Sequence, residues 1–135
     1  MKRNRLLNSE LSYEIGRIGH TAAITLCDAG LPIPAGVKRI DLAIESGYPT
    51  FLRTLDALIS EMMVEEIVVA KEIHAHNQTI YEQMIQQFIN QSMSPKVTEV
   101  AHEEFKKMTR DSEAIVRTGE CTPYANVILK SGVVF

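Results

Sequence analysis

Short apolar runs rich in β-branched residues alternate along this chain with segments whose apolar residues recur every three or four positions. The short runs are typical of buried strands, and the wider spacing is typical of helices with one buried face. This alternation predicts an α/β fold, with a mainly parallel sheet flanked by helices. It does not give the order of the strands. The predicted strands cover residues 22–27, 37–42, 64–70, 97–101, 114–117 and 127–129.

Capping residues and prolines locate the helices between these strands. Asn8 or Ser9 suits the N-cap of the first helix, and Pro49 suits the first turn of the second. Asn77 suits the N-cap of a third helix, and a fourth is predicted at about residues 103–109. The helix positions expected to be buried are Leu11, Ile15, Ile18, Phe51, Leu55, Leu58, Met62, Ile80, Met84 and Phe88.

Length and composition indicate one domain over residues 1–135, because no repeat or long linker interrupts the chain. A formal net charge of −3 argues against a nucleic-acid or anionic membrane partner. No apolar run matches a signal peptide or a membrane span, so a cytoplasmic protein is expected. Cys27 and Cys121 belong to no paired motif and are interpreted as reduced thiols.

Two loops are the natural places for a ligand. In open α/β sheets, ligands bind where loops leave the carboxyl ends of strands, which singles out the loops beginning at Asp28 and near Gly119. The chain has no P-loop, GxGxxG or GxSxG motif, and only Arg117 lies near these loops as a cation. These absences favour an unphosphorylated small molecule over a nucleotide.

His20 and Asp28 flank the first predicted strand. That strand would span about 20 Å, so the two side chains cannot easily share a site within one subunit unless the strand bends. His20 suits a proton donor, or else a histidine that interacts with the last carbonyls of the first helix. Asp28 suits an acceptor for ligand hydroxyls, or else an Asx-turn on its own backbone.

Three further groups of polar residues have both functional and structural interpretations. His102 precedes two glutamates, which suits a helix N-terminus and lacks the second histidine of a zinc-protease motif. Tyr124 and Asn126 offer neutral hydrogen-bonding groups suited to a polyhydroxyl ligand, although Tyr124 also suits a buried turn. The pair His74 and His76 resembles a metal clip but has only one nearby acid, so no metal site is predicted.

Taken together, these segments resemble the D-ribose pyranase family, whose relatives are the L-fucose mutarotases. The resemblance extends over essentially the whole chain, and two of its motifs are long and unusual. The matching segments are LNS at 7–9, GHT at 19–21, CDAGLPIP at 27–34, RIDLA at 39–43, EI with HN within 72–77, HEEF at 102–105 and IVRTGECTPYAN at 115–126. At residue 22, where members commonly carry Asp, this chain has Ala22.

The resemblance implies an isomerase that interconverts the β-pyranose and β-furanose forms of free D-ribose without metal or other cofactor. It implies a homo-oligomer, a decamer of two pentameric rings, with sites between neighbouring subunits. His20 matches the family's proton donor, and the sugar-binding positions match Asp28, His102, Tyr124, Ala125 and Asn126. The alternatives are a mutarotase of another free sugar such as L-fucose, and a non-catalytic sugar-binding accessory protein.

Overall fold

The computed structural model describes residues 1–135, which form six strands, five helices and one short 3-10 turn. The helices are α1 (Ser9–Arg17), α2 (Phe51–Ile59), α3 (Ile73–His76), α4 (Gln78–Asn90) and α5 (His102–Met108), the last followed by the 3-10 turn Thr109–Asp111. The strands are β1 (Ala23–Cys27), β2 (Lys38–Asp41), β3 (Val64–Ala70), β4 (Lys96–Val100), β5 (Ala114–Arg117) and β6 (Val127–Ser131).

All six strands belong to one sheet, in the order β2-β5-β1-β6-β3-β4. Strands β2, β5 and β1 pair in parallel, as do β3 and β4, whereas β6 runs antiparallel to both of its neighbours. Five strands therefore point the same way, which confirms the predicted α/β fold with a mainly parallel sheet. Because β6 is reversed, its first residues lie at the edge where the other five strands end.

The two faces of the sheet are covered unequally. Helices α1, α2 and α4 pack on one face, in a cluster of 22 buried residues that includes Leu11, Phe51 and Phe88. The opposite face carries a cluster of eight buried residues, among which Phe105 of α5 is the helical one. Successive strand residues point to opposite faces, so β1, β3, β5 and β6 each contribute residues to both clusters.

Some predicted helix boundaries differ from the observed ones. Pro49 lies before α2 and follows a cis peptide bond, while the Thr50 hydroxyl accepts the capping hydrogen bond from the backbone N–H of Arg53. The Pro49 prediction was therefore wrong by two residues. Asn77 occupies the N-cap position of α4, but its side chain makes no capping hydrogen bond. The sequence pattern did not predict α3, which is a single turn between β3 and α4.

One irregularity in the sheet lies between β3 and β6. Val64 pairs with Ser131, but Glu66 pairs with Lys130, so two residues of β3 stand against one of β6. Glu65 is the extra residue of this β-bulge. Bulges redirect side chains and increase local twist, and they are common beside active sites.

None of the helices is long and apolar enough to cross a membrane.

Candidate functional site

The predicted sugar-binding residues meet at the carboxyl edge of the sheet. Asp28 directly follows β1, His102 begins the helix after β4, and Asn126 directly precedes the reversed strand β6. Positions 98 residues apart in sequence are thereby brought into contact. The convergence follows from topology, because the end of β1 and the start of the neighbouring β6 lie side by side.

Asp28 and Asn126 form a two-point hydrogen-bonded pair. The Asn126 side chain accepts a hydrogen bond from the Asp28 backbone N–H and donates one to Asp28 Oδ2, both at 2.9 Å. The other carboxylate oxygen, Oδ1, accepts from the backbone N–H of Gly30 at 2.9 Å and closes an Asx-turn, which was one of the two alternatives for Asp28. Asn126 is only 1% exposed, so the Asp28 carboxylate is held in place by a buried side chain.

A cavity of about 420 Å³ opens beside this pair. Its volume lies within the range of small-molecule sites. Asp28 and Glu120 are the carboxylates in its wall, and no lysine or arginine lines it. The lining residues are Asp28, Ala29, Gly30, Glu120, Cys121, Thr122 and Pro123. The cavity therefore offers hydrogen-bonding groups to a small polar ligand but no cationic cradle for a phosphate.

Arg117, the cation that the sequence places near these loops, is engaged elsewhere. Its Nε donates to the Ala29 carbonyl at 3.0 Å, and its Nη1 lies 3.1 Å from both carboxylate oxygens of Asp41. Burial alone would raise the pKa of Asp41, but the Ala43 backbone N–H and the Arg117 guanidinium lower it below its ordinary value. The ionised Asp41 fixes the Arg117 side chain, which thereby connects β5 to β2 and to the loop after β1.

Glu120 is a buried carboxylate of this edge that sequence reasoning did not select. Its Oε2 accepts from the backbone N–H of Phe51, the first residue of α2, and its Oε1 accepts from the backbone N–H and hydroxyl of Thr122. A negative charge is favoured at a helix N-terminus, so Glu120 fixes the cavity wall to α2. The signal available in the sequence was an acid in the middle of an otherwise neutral loop.

Close backbone packing explains the glycine that precedes Glu120. A Cβ atom at Gly119 would lie 2.3 Å from the Tyr48 carbonyl oxygen and 2.6 Å from that of Glu45. The backbone N–H of Gly119 donates to the Pro49 carbonyl, and its own carbonyl accepts from Gly47. The loop after β5 can therefore seat against the segment before α2 only if residue 119 has no side chain.

Aromatic rings form the other part of the carboxyl edge. The Tyr124 ring lies between His102 and His76, with centroids 5.0 and 5.2 Å away. Tyr124 adopts a left-handed backbone conformation with φ 58°, which is uncommon for a non-glycine residue. Ala125, fully buried, follows it and leads the chain into Asn126. This turn places Tyr124 at the histidines and Asn126 at Asp28.

His102 is held by its backbone while its ring has an unpartnered atom. The carboxylate of Glu72 accepts a hydrogen bond from the His102 backbone N–H at 3.1 Å, at the start of α5. The ring Nδ1 of His102 is buried and has no hydrogen-bond partner.

Asn77 connects α4 to the same region, because its side-chain amide donates hydrogen bonds to the Thr122 hydroxyl and the Pro123 carbonyl, both at 2.9 Å.

His74 and His76 have different contacts and do not form a clip. His74 Nε2 lies 2.6 Å from Glu99, and this hydrogen bond raises the pKa of His74 above its usual value. His76 instead contacts the Tyr124 ring. The chain contains no group of three His, Cys, Asp or Glu side chains placed to hold a metal ion.

His20 lies at the opposite edge of the sheet. It precedes β1, whose five residues span about 16 Å, and Asp28 follows that strand. The ring does not contact the carbonyls of α1; its Nε2 lies 2.9 and 3.1 Å from the two carboxylate oxygens of Glu65. The separation expected from the sequence is therefore present, and β1 does not bend to remove it.

The backbone beside His20 has an unusual conformation. Thr21, a β-branched residue, has φ 68°, and its N–H donates to the Ser131 carbonyl. Such conformations are costly and concentrate at functional sites. Because the chain turns at Thr21 and β1 begins only at Ala23, residues 20 and 22 do not lie on one extended strand.

A groove of about 320 Å³ surrounds His20 and is largely apolar. It is lined by the end of α1, the segment from Glu61 to Met63 and the C-terminal residues that follow β6. In that tail, Val134 and Phe135 are 83% and 101% exposed. The lining residues are Ile15, Ile18, His20, Glu61, Met62, Met63, Ser131, Gly132, Val133, Val134 and Phe135.

Fold and site together define an α/β protein with a small polar-ligand cavity at one edge of its sheet and a histidine groove at the other. The family model described as the RbsD / FucU transport protein family matches residues 1–134. The chain belongs to this family.

Individual relatives agree with this assignment. A D-ribose pyranase of Rhodopirellula baltica is 78% identical over 135 residues, with both chains covered in full. The structure of Bacillus subtilis RbsD complexed with D-ribose superposes with a TM-score of 0.93 at 44% identity, also over the full length of both chains. The structure of a fucose mutarotase of Streptococcus pneumoniae, in complex with L-fucose, superposes with a TM-score of 0.82 at 25% identity. That match covers 95% of this chain and 94% of the mutarotase chain.

Proposed function

We propose that this protein is an isomerase that interconverts the β-pyranose and β-furanose forms of free D-ribose. The observation that carries the proposal is the cavity beside the Asp28–Asn126 pair, which has a sugar-compatible volume, fixed hydrogen-bonding groups and no cationic lining. Full-length similarity to D-ribose pyranases, and to an RbsD structure with D-ribose bound, supports the choice of sugar.

The reaction requires only proton transfers. A base removes the proton of the anomeric hydroxyl while an acid protonates the ring oxygen, and the hemiacetal C–O bond breaks. Reclosure through a different hydroxyl changes the ring size and returns both protons. We assign the acid to His20, with Asp28 and His102 as the two candidates for the base. Such transfers typically contribute about 10²- to 10⁴-fold.

Asp28, His102, Tyr124, Ala125 and Asn126 are proposed to bind the sugar. Asp28 is oriented by Asn126 to accept hydrogen bonds from sugar hydroxyls, and Asn126 also fixes the loop after β1. Tyr124 and His102 supply a ring edge and polar atoms beside the same loop. Ala125 contributes backbone groups, because its methyl side chain is buried.

A complete site is proposed to need two subunits. His20 and Asp28 lie at opposite edges of the sheet of one chain, so a shared site forms only if the His20 edge of one copy meets the Asp28 edge of another. The exposed apolar tail beside His20 supports contact with a second copy, since large exposed apolar patches commonly mark interfaces. We propose a homo-oligomer, a decamer of two pentameric rings, that acts in the cytoplasm in D-ribose catabolism.

Oligomerisation is tested by sedimentation. We expect a species much heavier than the 15.1 kDa chain at micromolar concentration. Removing residues 133–135 is expected to lower the association state, because it deletes the exposed tail of the His20 groove. Circular dichroism controls for the folding of the truncated chain. A full-length monomer at these concentrations would contradict the shared site.

The activity is tested by exchange NMR on D-ribose. We expect catalytic amounts of protein to accelerate pyranose–furanose exchange equally with and without EDTA. A panel that includes L-fucose and D-glucose determines sugar preference, and D-ribose is expected to show the largest acceleration. Exchange at the uncatalysed rate, with ribose still bound, would instead indicate a sugar-binding accessory protein. Preferential acceleration of L-fucose would indicate a fucose mutarotase.

A further inference from the structure

His20 has one side-chain partner, and this partner comes from an irregular position in the sheet. Both carboxylate oxygens of Glu65 lie within 3.1 Å of His20 Nε2. Glu65 is the extra residue of the β3–β6 bulge, so its side chain does not follow the regular alternation of β3. The bulge therefore brings a carboxylate to the edge where β1 begins.

The backbone around Glu65 is closely packed. The backbone N–H of Gly132 donates to the Met63 carbonyl at 3.0 Å, which pins the start of β3 to the end of β6. A Cβ atom at Gly132 would lie 3.1 Å from Glu65 Cβ. On the histidine side, the Thr21 N–H donates to the Ser131 carbonyl, so β6 anchors both His20 and Glu65. The two side chains are held at one place by a common strand.

We infer that Glu65 is a positioning residue that orients the proton-donating imidazole of His20. This inference rests on the proposed isomerase function and deepens it. A carboxylate that engages one ring nitrogen fixes the orientation of a histidine. With Nε2 held by Glu65, Nδ1 is the nitrogen left to exchange a proton with the sugar.

The proton balance is simple. Protonated His20 gives its Nδ1 proton to the sugar ring oxygen as the C–O bond breaks, and the base takes the proton of the anomeric hydroxyl. On reclosure, the two protons return. Throughout, the Nε2–H stays hydrogen-bonded to Glu65, which is itself neither protonated nor consumed.

The test compares two glutamates that each pair with a histidine. Glu65→Gln removes the charge beside His20, and Glu99→Gln makes the same chemical change beside His74, which has no part in the proposed chemistry. We expect Glu65→Gln and Glu65→Ala to lower kcat about 10-fold or more while KM stays within about twofold, since proton transfer but not sugar binding is affected. Glu65→Asp is expected to recover part of kcat, and Glu99→Gln to match wild type.

A second readout does not depend on activity. The ring C–H signals of His20 in NMR spectra are expected to shift in Glu65→Gln and to stay unchanged in Glu99→Gln. Unchanged His20 signals, or a wild-type kcat in Glu65→Ala, would overturn the positioning role. Wild-type protein that leaves ribose exchange at the uncatalysed rate would overturn the proposed function itself, whatever the His20 signals show.

Discussion

Replacing His20 with alanine is expected to lower the kcat of ribose ring exchange about 100-fold or more, because general acid catalysis supplies roughly that factor. Sugar binding is expected to persist, since Asp28, Asn126 and the cavity lie at the other edge of the sheet. Stability should change little, because the His20 side chain is about half exposed. Exchange NMR measures kcat, and titration of the variant with ribose measures affinity.

His74→Gln is the matched control for this variant. His74 is also a partly exposed histidine paired with a glutamate, Glu99, but it has no part in the proposed chemistry. We expect its exchange rates to equal those of wild type. Full activity in His20→Ala would remove the proton-donor assignment, and equal losses in both variants would indicate a general effect of altering surface ion pairs.

Replacing Asn126 with alanine is expected to raise KM for ribose about 10-fold or more, which corresponds to about 1.4 kcal/mol of binding free energy. The substitution removes both hydrogen bonds that orient Asp28 and leaves its carboxylate with the Gly30 N–H. Because Asn126 is buried, the free energy of unfolding is also expected to fall by about 2 kcal/mol. The decrease in kcat should be smaller than the rise in KM.

Isothermal titration with ribose and urea denaturation separate these two effects. Asp28→Asn should weaken binding in the same direction but destabilise less, since Asn126 keeps a hydrogen-bonding neighbour. Asn90→Ala is the control, because Asn90 lies at the end of α4 and its side chain only accepts from Gln86. Wild-type affinity in Asn126→Ala would show that the Asp28–Asn126 pair supports the loop and does not contribute to sugar binding.

The local elements of the fold were predictable where the sequence carries a strong periodic or β-branched signal. Strand β3, predicted at 64–70, is observed at Val64–Ala70, because its β-branched run is bounded by turns. Helix α1 begins after Asn8, whose side chain accepts from the Leu11 backbone N–H. The prediction from Pro49 was wrong because a proline suits both the first turn of a helix and the segment before it. Helix α2 begins after Thr50, because the Thr50 hydroxyl caps it.

The candidate site was predicted in composition but not in arrangement. Asp28, His102, Tyr124 and Asn126 were selected from unusual loop motifs, and the structure brings them to one edge. Glu65 and Glu120 were missed, since an acid within a strand or a loop carries no periodic signal. Glu65 reaches His20 because of a bulge, and Glu120 reaches α2 because Gly119 permits close approach.

The sequence by itself determined which segments become strands and helices, the α/β class, and the set of polar loop residues. Those properties depend on local spacing, on β-branching and on the side chains that the loops carry. Only the tertiary structure decided that β6 runs against its neighbours and so places Asn126 against Asp28. It also decided that His20 faces Glu65 at the far edge. Strand order and bulges depend on contacts between residues distant in sequence, and local spacing contains no information about those contacts.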